Sequence, residues 1–138
     1  YFNRAVARYK QLEYQKAEQE SSGETVSVGS PSSAVKNIDY EIVRKDFDKV
    51  IELVPDFAYA YYNRANVFSL LKDYHAAIAD YTKAIELDST LAEAYYNRGL
   101  TYIYTGKVKE GISDLSKAGE EGIYSAYNII KRYTEVKK

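Results

Sequence analysis

The chain offers catalysis little to work with. His75 is its only histidine, so neither a two-histidine metal site nor a Ser-His-Asp relay can be assembled. Cysteine is absent, which removes thiol chemistry, disulfides and cysteine-ligated zinc. Asp80, Glu86, Asp114 and Glu120 could be imagined as paired carboxylates for acid–base work. Each recurs at a fixed spacing beside Lys83 or Lys117, the pattern of a solvated helix face, and we read them so. Glu120-Glu121 and the basic C-terminal tail read as surface for the same reason. No glycine-rich phosphate loop and no metal-ligand spacing occurs. The sequence therefore predicts a protein that is not an enzyme, with no cofactor and no metal. Its excess is in tyrosine, 16 residues of it. Tyrosine joins a flat apolar ring to a hydroxyl, which suits packing and binding more than bond breaking.

Bulk properties narrow the classes further. At 138 residues and 46% hydrophobic, the chain can bury one core, so one domain is expected. The net charge is −1 and the pI about 5.9, without the basic excess that phosphate backbones demand, so no nucleic acid is expected as partner. No apolar run approaches the length of a membrane span, and no secretory signal opens the chain, so this segment is not expected to insert in a membrane. Methionine is also absent. We expect a fragment or processed product whose N-terminal part is missing, from the cytoplasm or a bacterial periplasm.

The elements that position these residues are visible as a repeat. Ala60-Tyr61-Tyr62-Asn63-Arg64 returns 34 residues later as Ala94-Tyr95-Tyr96-Asn97-Arg98. Ile78, Asp80, Lys83, Ala84 and Glu86 return as Ile112, Asp114, Lys117, Ala118 and Glu120. With Ala58 and Ala92, the windows share 11 of 34 positions, against roughly two expected by chance. A period of this length marks a stacked array. Apolar spacing predicts helices near 58–71, 74–87, 92–105 and 108–119, then a final one from about Tyr124 to Val136. Earlier, Tyr1-Phe2-Asn3-Arg4-Ala5 repeats the phrase Tyr61-Tyr62-Asn63-Arg64-Ala65, and Tyr40, Asp46, Lys49 and Glu52 lie 34 before Tyr74, Asp80, Lys83 and Glu86. Tyr1 and Tyr61 stand 60 apart, so the first unit carries 26 extra residues, placed between Tyr14 and Tyr40. Helices are expected from Tyr1 to about Glu20 and from Pro31-Ser32-Ser33 to Pro55. Residues 21–33 hold six Ser, two Gly and one Pro, and read as a mobile loop at the tip of a lengthened hairpin.

These residues resemble a bacterial-type tetratricopeptide repeat (TPR), a helix–turn–helix unit of 34 residues. Its pattern asks for large side chains at positions 4, 11 and 24, here Tyr61, Phe68 and Tyr81, then Tyr95, Tyr102 and Leu115. Small ones belong at 8, 20 and 27, here Ala65, Ala77 and Ala84, then Gly99, Gly111 and Ala118. Three departures stand out: Arg8 replaces an aromatic, Pro occurs at position 32 only as Pro55, and position 7 is Arg4, Arg64 and Arg98 where Leu is usual. The resemblance implies an all-α, right-handed superhelix of antiparallel helix pairs. It divides the chain into a first repeat at 1–57, repeats at 58–91 and 92–123, and a C-terminal capping helix at 124–138.

The resemblance also implies a concave groove lined by the first helix of each repeat. Its residues here would be Tyr59, Tyr62, Asn63 and Asn66, then Tyr96, Asn97, Leu100 and Tyr104, with Asn3 extending the surface. Rings and amides together suit a peptide or a partner helix. A plainer reading has Leu100, Ile103 and Tyr104 covered by the terminal helix. Asn66 and Asn97 fall where some relatives clamp a C-terminal carboxylate, but Tyr62 and Tyr127 occupy the clamp's lysine positions, leaving only Lys131 as a cation. Without those charges a carboxylate has little to hold it. The function expected is a non-catalytic scaffold binding a peptide or partner protein. The alternatives are self-association through the insertion or the array ends, which would make a homo-oligomer, and a small-molecule or glycan site on the tyrosine wall.

Overall fold

The computed structural model describes residues 2–21 and 31–135, in seven helices with no strand among them. The chain divides into two units, Tyr1–Pro55 and Asp56–Lys138.

The first unit is a hairpin of α1 (Phe2–Ser21) and α2 (Pro31–Leu53). These helices have 20 and 23 residues, against 13 and 14 for the corresponding pair in the second unit. The insertion thus goes largely into added helical turns. The loop expected at 21–33 falls mainly on 22–30, which lie outside the described residues; Ser21 closes α1, and 31–33 open α2. Phe47 is fully buried, with Phe2 meeting it edge-on at 6.3 Å. Ala5 is buried as well, and Asp46 of α2 receives Arg8 at 2.6 Å and Arg4 at 3.4 Å, both from α1.

The second unit holds α3 (Ala58–Leu70), α4 (Tyr74–Leu87), α5 (Ala92–Tyr104), α6 (Val108–Glu120) and α7 (Ser125–Glu135). Turns of three to four residues join them, so successive helices run antiparallel. Three of the turns close alike. The Asp73 N–H reaches the Phe68 carbonyl while Lys72 reaches Ser69, and the pattern recurs after α5 and after α6. This geometry needs a left-handed residue, supplied by Gly106 and Gly122, and by Lys72 at φ 63°. Asp73 then caps α4, its Oδ1 accepting from the Ala76 N–H at 3.2 Å.

One apolar cluster joins Ala65, Ala77, Tyr81, Ala84, Leu91 and Ala94, across α3, α4 and the start of α5. A second joins Leu115, Ala118 and Ala126, with Tyr95, Tyr96, Ile103 and Ile130 packed on it. All six small positions are buried, as their repeat positions require. Where they are glycine the backbones come very near: a Cβ on Gly111 would lie 2.7 Å from the Gly99 carbonyl oxygen and 2.5 Å from Ile103 Cγ1. Gly119 serves α7 similarly, with the Tyr127 ring lying where its Cβ would be. So α7 docks on α6 through Tyr127, Ala126 and Ile130.

Candidate functional site

The acidic residues correct the sequence reading first. Asp80 and Asp114 are not on solvated faces; both are buried. Arg64 holds Asp80 through Nε at 2.6 Å and Nη2 at 2.8 Å, and Arg98 holds Asp114 through the same two atoms, both at 2.7 Å. Each guanidinium lies between two rings: Tyr61 and Phe68 at 5.6 and 5.8 Å from Arg64, Tyr95 and Tyr102 at 5.8 and 5.7 Å from Arg98. The hydrogen bond to Asp114 holds the Arg98 pKa above its ordinary value. Arginine at position 7 is therefore the partner of aspartate sixteen residues on, and Arg4 with Asp46 is the same pair spread by the insertion. Arg8, which stands in place of an aromatic, brings Asp46 a second cation. These are fold-holding contacts, and the candidate site lies on other faces.

On the second unit, α3 and α5 meet through side chains. Asn97 Nδ2 donates to the Tyr62 hydroxyl and to Asn66 Oδ1, both at 3.1 Å. The Tyr81 hydroxyl donates to the same Asn66 oxygen from α4. Tyr81 is only 2% exposed, so this bond satisfies its one buried polar group. The Tyr62 and Tyr81 rings tilt against each other at 6.0 Å. Burial raises the pKa of both hydroxyls; for Tyr62 the negative charge of Glu93 adds to it. Both stay neutral donors and acceptors through the physiological range.

The remaining groove candidates divide by exposure. Tyr59 is 48% exposed, Leu100 36% and Tyr104 72%, whereas Tyr62, Asn63, Asn66, Tyr96 and Asn97 are half-buried. The Asn63 amide is used within its own helix, Nδ2 donating to the Tyr59 carbonyl at 2.8 Å. Tyr96 packs on the Leu115–Ala118–Ala126 cluster, and so does Ile103. Tyr104 instead leans on Tyr74 of α4, ring centroids 4.9 Å apart. Of the three residues that the terminal helix could have covered, only Ile103 joins its cluster. Asn3 is exposed on α1, in the first unit. The family resemblance named these positions as groove candidates. It had no means of showing that Asn97 Nδ2 donates to Asn66 Oδ1.

Among the described residues, no group of three or more His, Asp or Glu is placed to hold a metal ion, and no helix is long and apolar enough to cross a membrane.

Known proteins place these features. A family model described as tetratricopeptide repeat matches residues 58–91, and a second of the same description matches 80–113. No curated protein matches the chain. Among solved structures, the chain resembles YrrB, a TPR protein with an unusual peptide-binding site: 33% identity over 64% of this chain and 48% of that one, TM-score 0.60. It spans about half of YrrB. It also resembles the first TPR of Spaghetti (RPAP3) bound to HSP90 peptide SRMEEVD, at 21% identity over 76% and 85% of the two chains, TM-score 0.67. The Yersinia enterocolitica type III secretion chaperone SycD, in complex with a peptide of the translocator YopD, is 16% identical over 94% and 95%, TM-score 0.68. At these identities the last two likenesses speak for the fold alone. The all-helical architecture, the buried small positions and the two repeat matches agree: the fold is that of a tetratricopeptide-repeat array, and residues 58–113 are tetratricopeptide repeats.

Proposed function

We propose that the chain is a non-catalytic interaction module that binds an extended peptide or partner protein along the groove-lining faces of α3 and α5. The observation that carries this reading is one of contrast. Tyr62, Asn66, Asn97 and Tyr81 tie α3, α4 and α5 into a fixed polar floor, while Tyr59, Leu100 and Tyr104 stay exposed beside it. A rigid floor lowers the ordering cost of binding, and exposed rings supply apolar area. The repeat family is typically a protein-binding fold without catalysis, and YrrB, the most nearly identical of the three structures, is a TPR protein with a peptide-binding site. The three arginine–aspartate pairs at matching positions support counting three repeats, the first expanded, and the packing of Ala126 and Ile130 on Leu115 and Ala118 supports reading 124–138 as a cap.

The test is selection of short random peptides on the immobilised chain, followed by calorimetric titration of an enriched peptide. Tyr62 and Tyr96 pack on the core, so the informative variants are the exposed ones. Tyr59→Ala with Leu100→Ala should weaken binding at least about tenfold. His75→Ala, exposed at the start of α4, should leave it unchanged. Loss of binding in the His75 variant alone would put the partner on another face.

A further inference from the structure

Position 2 of the repeat changes character between the second and third copies, from Tyr59 to Glu93. The bond from Asn97 Nδ2 to the Tyr62 hydroxyl fixes the level at which α3 and α5 meet. With α4 antiparallel to both, α3 and α5 run in the same direction. Tyr59 lies three residues before Tyr62, and Glu93 four before Asn97, so each sits one turn back on the same face as its neighbour. The two are therefore brought side by side at the N-terminal ends of their helices. Tyr59 and Glu93 are both exposed, and among the described residues Glu93 makes no ion pair. The rise in the Tyr62 pKa, caused first by burial and further by Glu93 and Tyr59, is consistent with all three being close together. Across the groove positions of α3 and α5, Glu93 carries the one formal charge.

We propose that Tyr59, Tyr62 and Glu93 form a subsite for one basic side chain, lysine or arginine, of the bound segment. It rests on the groove reading above and adds the chemistry of the occupant. The carboxylate would pair with the cation, and the electron-rich ring faces would attract it further while covering its methylene stem. An acidic side chain at that place would meet an uncompensated like charge.

The probes are N-acetyl-arginine methylamide and N-acetyl-lysine methylamide, with the glutamine compound as neutral control, titrated into the isotopically labelled full chain by NMR. Saturable shifts at the Tyr59, Tyr62 and Glu93 amides are expected with the cations and not with glutamine. Glu93→Gln should weaken them at least about threefold, and raising the salt concentration should do the same. Equal response to the glutamine probe, or an unchanged response in Glu93→Gln, overturns the subsite. Because Glu93 is in the first turn of α5 and could act only on the helix dipole, thermal melts of the variant accompany the titration; a shift in melting without a change in cation affinity also overturns it. Selected peptides separate the two readings. Neutral peptides that need Tyr59 and Leu100 but ignore Glu93 would leave the groove standing and sink the subsite. Cation shifts with no peptide binding would sustain the subsite and sink the groove.

Discussion

At the scale of single residues, the contacts that decide most are Arg64 with Asp80 and Arg98 with Asp114. Each is a two-point charge-assisted contact from which water is largely excluded. Such a pair adds little over an apolar substitute, yet breaking it strands a charge. We expect Asp80→Ala to cost roughly 2–4 kcal/mol in urea melts, since Arg64 retains some solvent. Exposed Lys83→Ala should stay within about 0.5 kcal/mol. Equal losses would mean that the arginine is no longer tied to the aspartate. The sequence reading placed Asp80 and Asp114 on solvated faces because Lys83 and Lys117 stand three residues on, a spacing that marks helix surfaces. The real partner was sixteen back, on the other helix. Its signal was present: the arginines that break the usual leucine position recur in step with those aspartates. Local spacing is legible from a chain alone, while a contact across a helix pair becomes legible only when its two ends are noticed together.

At the scale of elements, the two complete helix pairs of the second unit use different small residues at the same crossing. Ala65 and Ala77 meet between α3 and α4, Gly99 and Gly111 between α5 and α6. A methyl group fits the first crossing but has no space in the second. Gly111→Ala should therefore destabilise by about 1–3 kcal/mol through overpacking, although alanine is the better helix former. Ala77→Gly, at the matching position, should cost about 1 kcal/mol for the ordinary reason of helix propensity. Chemical denaturation of both variants checks the asymmetry; a Gly111→Ala as stable as its parent would show that α5 and α6 can part without cost. Repeat spacing located every helix to within a residue or two from α3 onward, because 3.6-residue periodicity and turn residues act locally. The family resemblance put Asn66 and Asn97 among the groove candidates, and their side chains do meet. What it could not supply was the distance between α3 and α5, and that distance decides whether amides serve a ligand or one another.

At the scale of the molecule, tyrosine makes stability depend on alkaline rather than neutral pH. Burial raises the folded pKa of Tyr81 and Tyr62, and of Tyr40 in the first unit, above the unfolded value near 10. Below that value both states hold the proton, and the contribution to stability is complete. As pH rises above about 10 the unfolded chain ionises first, so stability is lost progressively through the folded values. Urea midpoints should be level from neutral pH to about 9 and fall steeply beyond it. Absorbance near 295 nm should show some tyrosines ionising only as the helical circular dichroism collapses; smooth titration of all of them before unfolding would contradict the buried network. One further consequence follows from the arginine–aspartate pairs. In the two regular copies the guanidinium and its carboxylate come from the same 34-residue length of chain, and in the first copy 26 added residues still leave Arg4 and Asp46 together. A gene that duplicates or drops one such length therefore neither creates an orphaned inner charge nor removes the mate of one elsewhere. Copying one such length carries each inner charge together with its mate, so the number of repeats can change without unbalancing the charges inside the array.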